Sequence, residues 1–302
     1  MFEKLLEDRI NNIETLPNAF VSAVDKNNAA VLKQVLRLAR TLKRDGGKIL
    51  LNATNLAIAN QITKKLEEVL LLTDFQKAYT AFIDSFDLQY GLIDDYFKDL
   101  TGKALKPKRI YANAIKAGKQ NASIMLGNLA LKEDFSSPLT EIFNIAVSTQ
   151  DSLSNLIDNI TDNIMGTDQI DPSLTRYAKT WGRTLLAQAD ANYTETVAQD
   201  LGFQYYLYDG PRLKMSRDFC KERKGKIYHI EEIRLWPTNE GSQESNPSPR
   251  GTWQGMIKGT NSRNILTLRG GFNCVDIFGP LLVSMVPKEV IKRNEELGFH
   301  KN

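Results

Sequence analysis

Any chemistry in this chain has to centre on two short stretches, SRDFCKERKGKIYHIEEIRLW (216–236) and RGGFNCVDIF (269–278). They hold the only two cysteines of the sequence, Cys220 and Cys274, and one of its two histidines, His229. As a nucleophile Cys220 has Arg217, Lys221, Arg223 and His229 close in sequence, and cations of this kind lower a thiol pKa. Any basic helix offers the same neighbours, however. As a metal site, Cys220, His229 and Cys274 supply three zinc ligand types, with Asp276 or Asp218 as a fourth. The strong signature is a close-spaced ligand pair at each end, and neither end has one. A disulfide is the third option, and two cysteines in a chain this long point instead to a reducing compartment. The favoured reading is two small buried side chains, reduced and without metal, that pack a last domain together.

Other catalytic templates fail. The sequence contains no G-x-S-x-G elbow, P-loop, G-x-G-x-x-G or H-E-x-x-H. No catalytic residue and no cofactor is expected, so the chain reads as a non-enzyme. Its 302 residues, 42% apolar and 25% charged, suit an ordinary globular protein with room for roughly two domains. A net charge of +3 does not by itself call for nucleic acid. No apolar run approaches the ~20 residues that span a bilayer, so no membrane partner is expected. Charges interrupt the apolar positions of MFEKLLEDRINNIETL, which excludes a signal or transit peptide and places synthesis in the cytosol.

The elements that must position the cysteines follow from periodicity. Phe2, Leu5, Leu6, Ile10 and Ile13 predict a first helix. Pro17 predicts the start of a second, running to Leu42 and broken at Asp45-Gly46-Gly47. A third covers about 49–72. A fourth carries the stripe Phe75, Tyr79, Phe82, Phe86, Ile93, Phe97 and Leu100, which predicts burial of its aromatic face. Thr101 to Pro107 reads as a linker. Shorter helices are expected at about 108–131, 138–149 and 151–165. Asp171-Pro172-Ser173 then opens a long helix that ends near Gly202. Beyond Gly202 the texture changes: FQYYLYD is strand-like, Pro237 to Asn264 reads as a long exposed loop flanked by Trp236 and Trp253, and an apolar run at 277–286 precedes a helix from Pro287. The fold class expected is mainly α: a multi-helix body over 1–200, with a possible sub-boundary near 101–107, followed by a small α+β domain over 201–302. Within that domain Cys220 is expected on a short helix whose Lys221, Glu222 and Lys224 face solvent. Gly270 and Gly271 let the returning chain pass close beside it, and His229 is expected to cap or to hydrogen-bond backbone instead of ligating zinc.

The helix RYAKTWGRTLLAQADANYTETVAQDLGF leads into YYLYDG and SRDFCKERKGKIYHIEEI, and RGGFNC follows the long loop. Together these segments resemble the C-terminal signature of the Mu F-like head-morphogenesis family of phage minor head proteins. The matching positions are Arg183 and Asn192 on the helix, Asp209 at the strand end, then Ser216, Arg217, Asp218 and Cys220. Gly225, Lys226 and Tyr228 follow, then Gly270, Gly271, Asn273 and Cys274. The likeness spans about 174–286. Family members often finish with His-Pro-x-Cys-Arg-Cys or Asn-Cys-Arg-His, where this chain has Asn273-Cys274-Val275-Asp276, so a histidine or second cysteine is missing.

The resemblance implies a virion component made in the host cytoplasm and placed in the capsid interior or at the portal vertex. Its implied partners are the portal or major capsid protein and packaged DNA, with no small-molecule substrate. Basic residues exceed acidic ones after Gly202, and Arg212, Lys214, Lys221, Arg223, Lys224 and Lys226 are the candidates to touch DNA or an acidic surface. A virion-carried enzyme or toxin-like effector, and a DNA-binding protein reading through the basic C-terminal domain, are the alternatives.

Overall fold

The computed structural model describes residues 2–71, 75–129, 131–211 and 216–299. The protein is mainly helical with a small antiparallel sheet towards its C-terminus, as the sequence predicts. In chain order α1 (Phe2–Arg40), β1 (Arg44–Asp45), β2 (Lys48–Ile49), α2 (Ala53–Asn60), α3 (Ile62–Leu71), α4 (Phe75–Asp84) and α5 (Phe86–Thr101) come first. They are followed by α6 (Arg109–Ile124), α7 (Ser137–Ser148), α8 (Leu153–Met165) and α9 (Ser173–Asp200). The C-terminal part contains β3 (Tyr205–Asp209), α10 (Asp218–Arg223), β4 (Lys226–His229), α11 (Ile230–Leu235), α12 (Ile265–Leu268), β5 (Ile277–Leu281) and α13 (Lys288–Glu296). Among the described residues no helix is long and apolar enough to cross a membrane.

By compactness the chain divides into two units, each assembled from separate stretches: Met1–Thr15 with Ser85–Ala122 and Arg183–Asn302, and Leu16–Asp84 with Ser123–Gly182. The change of texture at residue 200 is therefore a change in secondary structure, whereas packing groups the chain along other lines. Thr101 closes α5 and Gly102 to Pro107 is non-helical, but the stretch lies inside the first of these units.

The unit formed by Leu16–Asp84 and Ser123–Gly182 is a helical assembly with an aromatic centre. Phe20 stacks on Phe82 at 5.3 Å and meets Phe75 at 5.9 Å. All three are buried, with Leu139 and Phe143. Pro17 does not start a new helix, contrary to the sequence reading, but lies within α1. Gly182 leaves room for its ring, since a Cβ there would stand 3.1 Å from the Pro17 Cβ. The expected third helix is instead a hairpin and two helices. Gly46 and Gly47 both take positive φ, 54° and 82°, as a tight turn between β1 and β2 requires. The buried Asn55 of α2 clamps that hairpin: its side chain accepts from the Lys43 amide and donates to the Lys43 and Leu50 carbonyls. The aromatic stripe is interrupted at Ser85, so its members belong to two helices, yet Phe75, Phe82, Phe86, Ile93 and Phe97 are all buried.

In the other unit α9 ends in a Schellman turn: Gly202 has φ +77°, Phe203 N–H donates to the Ala198 carbonyl, and Gly202 N–H donates to Gln199. The chain then enters a three-stranded sheet in the order β4-β3-β5, antiparallel throughout. Both faces of β3 are covered. Tyr205 and Leu207 pack with Ile227, Leu281, Val290 and Ile291. Tyr206 and Tyr208 meet Phe278, and Tyr208 and Tyr228 meet Trp236 edge-on. A strand buried on both faces needs no polar alternation, which is why YYLYD is almost wholly aromatic and apolar. The long loop is less open than its composition predicts. Ser245, Asn246 and Trp253 are buried, and the Asn246 amide nitrogen lies within 3.0 Å of the Leu235, Thr238 and Glu240 carbonyl oxygens. One buried side chain thus satisfies backbone groups that would otherwise need water.

Candidate functional site around Cys220 and Cys274

Cys220 and Cys274 are brought together as free, buried thiols. Helix α10 presents Cys220 from its first turn. The segment RGGFNC brings Cys274 back by a path few residues could follow: Arg269, Gly271 and Asn273 all have positive φ, at 46°, 101° and 57°. Gly271 also lies so close to the Gly255 backbone that no side chain fits. Gly270 is small for a different reason, since a Cβ there would sit 2.8 Å from the Cys220 sulfur and 3.0 Å from that of Cys274.

Two more groups complete the cluster. The Tyr208 hydroxyl of β3 lies 3.5 Å from Cys220 Sγ, 3.7 Å from Cys274 Sγ and 3.4 Å from the Asp276 carboxylate. Asp276 in turn pairs with Lys224 at 2.9 Å. Cys220 donates towards Cys274, which holds the Cys220 thiol above the usual range and draws Cys274 below it, with Arg269 adding to the second effect. Burial pushes the Tyr208 phenol far up, so it acts as a neutral donor.

Arg269 links this cluster to a second one. It donates to the Asp276 carbonyl and stands 3.8 Å from Asp190. Asp190 receives Arg9 bidentately at 3.0 Å and Gln89 at 2.7 Å. Burial alone would raise the Asp190 pKa, but Arg9 and Arg269 override it and hold the carboxyl below the ordinary aspartate range. Arg9, Asp190 and Arg269 are at most 1% exposed.

The remaining signature positions serve the backbone. Arg217 donates to the Gly270 and Phe272 carbonyls. Gly225, at φ +73°, turns the chain from α10 into β4 while its N–H reaches Tyr208 O at 2.8 Å. Asp209 accepts the Gly210 N–H, Asn273 N–H donates to Thr184 Oγ1 on α9, and Tyr228 is buried against Trp236. His229 is not with the cysteines. It caps α11: its Nδ1 accepts from Glu231 N–H while Glu232 accepts the His229 N–H at 2.9 Å.

The basic candidates need correction. Arg223 is fully buried, sandwiched 3.9 Å over Phe219 and 4.7 Å over Trp236, and donates to the Phe219, Pro247 and Pro249 carbonyls. Lys224, expected on the solvent face, is instead drawn inward by Asp276. The physical reason is shared: irregular backbone leaves carbonyls without ladder partners, and long cations satisfy several at once. Lys221 and Lys226 are exposed, while Arg212 and Lys214 lie outside the described residues.

Ligand atoms of Cys220, Cys274 and Asp276 lie within 4.8 Å of one another. Three donors fall short of a tetrahedral set, and Asp276 is already neutralised by Lys224, so the group fits a hydrogen-bonded cluster better than a cation cage. Sequence reasoning named Cys220, Cys274 and Asp276 but missed Tyr208, Arg269, Asp190 and Arg9. Only the fixed period-two alternation of β3 could have pointed Tyr208 at the cysteines. Two grooves lie elsewhere, of about 330 Å³ beside Val35, Leu38, Ile62 and Leu66 and about 470 Å³ beside Lys4, Asp8, Asp95 and Asp99.

Fold and site together define a mainly α protein with a three-stranded sheet and an enclosed polar cluster. Compared with known proteins, the chain matches no family model, no curated protein and no solved structure.

Proposed function

We propose that this chain is a structural and interaction component of a tailed-phage head, a minor head protein associated with the portal or inner capsid. Its role on this reading lies in head assembly or in DNA packaging and ejection. One observation carries the proposal beyond the sequence resemblance. Several positions that resemble the head-morphogenesis signature are far apart in sequence, yet they serve one closed unit: Arg217 donates to the Gly270 and Phe272 carbonyls, Asn273 N–H to Thr184, and Gly270 leaves room for both cysteine sulfurs. Such residues maintain a folded module for docking. Among the described residues they do not present a nucleophile, base and orienting group to an open cleft, which an enzyme would need. Inward use of Arg217, Arg223 and Lys224 likewise favours protein contacts over a DNA-reading face.

The test is quantitative mass spectrometry of purified particles of the encoding phage. A fixed, low ratio of this chain to the portal protein is expected. Its absence from particles whose portal and capsid proteins are present in full would overturn the proposal.

A further inference from the structure

The charges around Cys274 do not balance. Tyr208 faces it from β3, Cys220 from α10, and Lys224 from just beyond α10 through Asp276. Arg269 faces it from the end of α12, backed by Asp190 of α9 and Arg9 of α1. Among these groups the cations Arg9, Arg269 and Lys224 outnumber the carboxylates Asp190 and Asp276 by one. A buried charge without a counter-charge is costly. The sulfur of Cys274 is the ionisable atom placed among these cations: the Cys220 thiol and Arg269 favour its thiolate, and the Asp276 carboxylate 3.8 Å away, to which the Cys274 thiol form donates, is paired with Lys224. A thiolate with a thiol donating to it, and a glycine clearing space at both sulfurs, is the arrangement of a dithiol that oxidises as a pair.

We propose that Cys220 and Cys274 are a peroxide-reactive dithiol, with Cys274 the attacking thiolate and Cys220 the resolving thiol. The Cys274 sulfur attacks one oxygen of a hydroperoxide, the O–O bond breaks, and hydroxide (or alkoxide) leaves, giving a Cys274 sulfenic acid. The Cys220 sulfur then displaces the sulfenic hydroxyl, which departs as water with the Cys220 proton. The S–S bond closes, and the two electrons given up by the sulfurs have reduced the peroxide. The product ties α10 to the segment entering β5. This inference rests on the cluster alone and stands apart from the head-protein proposal.

The experiment uses the full chain, reduced and desalted, then exposed to hydrogen peroxide at neutral pH and followed by thiol alkylation and intact mass. The chain has no other cysteines, so both thiols are expected to vanish together in the monomer, with loss of two hydrogens, and to return with dithiothreitol. Cys220→Ser is expected to stop at a sulfenic acid on Cys274 that dimedone captures. Cys274→Ser is expected to consume peroxide about tenfold more slowly, because the remaining thiol lacks the cationic setting. The wild-type result needs no variant to fold. Loss of thiols only through dimers or over-oxidation, no loss at all, or equal reactivity in Cys274→Ser would each overturn the proposal. So would stoichiometric zinc that co-purifies and protects both thiols.

Discussion

The two compact units solve burial differently. Among the described residues, the buried polar side chains of the Leu16–Asp84 and Ser123–Gly182 unit are neutral: Asn28, Asn55, Ser136, Ser173 and Thr175. The buried carboxylates and guanidiniums, of Arg9, Asp190, Arg223, Glu232, Arg269 and Asp276, all belong to the other unit. The difference follows from backbone regularity. Helices satisfy their own amides and carbonyls, so a helical unit can fill its centre with Phe20, Phe75 and Phe82. A unit that runs through long loops and left-handed turns leaves carbonyls unpaired. Arg217 and Arg223, which donate to two and three carbonyls, and Arg269, which donates to one and stands beside the Asp190 carboxylate, are the remedy.

The largest expected effect tests that remedy. Asp190→Ala strands Arg9 and Arg269 in the interior and should lower unfolding free energy by about 3–5 kcal/mol in urea titrations. Because the Asp190 carboxyl is held below its ordinary value, its contribution is present above the unfolded pKa of about 4 and is lost as pH falls through the folded value. The gap between wild type and Asp190→Asn should accordingly narrow below about pH 4. An acid-independent gap would show that Asp190 acts by shape and not by charge.

Phe82→Ala probes the helical unit at a similar size, ~3–5 kcal/mol, but by cavity formation. Its cost should not vary with pH between 4 and 8, since no charge is exposed or paired by the change; a pH-dependent loss would blur the contrast between the units. Gly270→Ala comes next. The added methyl presses on both sulfurs, and a cost of about 1–3 kcal/mol is expected by thermal melting. No change there would mean the sulfurs have more freedom than their positions suggest. The smallest effect belongs to Lys221→Ala, which removes an exposed pair with Asp218 at 3.3 Å and should leave the melting midpoint unmoved. A clear loss would reveal a surface charge doing what Arg223 does inside.

Much of the architecture was legible beforehand because it depends on local rules. The Asp171-Pro172-Ser173 start, the glycine at 202 and the three-four stripe from Phe75 each report the conformation of their own few residues. The helix break at Pro17 was misread because proline's usual effect was overridden by packing against Gly182, a partner far off in sequence. At the candidate site the meeting of Cys220 with Cys274 was legible from the glycines beside them. The roles of Arg223 and Lys224 were not, because a basic helix written as a string looks solvated on every side.

By itself, then, the sequence determined most element types, the strand YYLYD, a backbone-binding role for His229 and the tight approach at Gly270 and Gly271, all of which arise from steric and hydrogen-bonding preferences within a few residues. Tertiary structure alone decided which cations turn inward and what they hold. That choice depends on which carbonyls and carboxylates the folded loops leave unsatisfied, and in the pairing of Arg9 with Asp190 the two partners come from helices at opposite ends of the helical stretch. No local preference of either residue encodes the other; only burial in the same place makes each necessary to its partner.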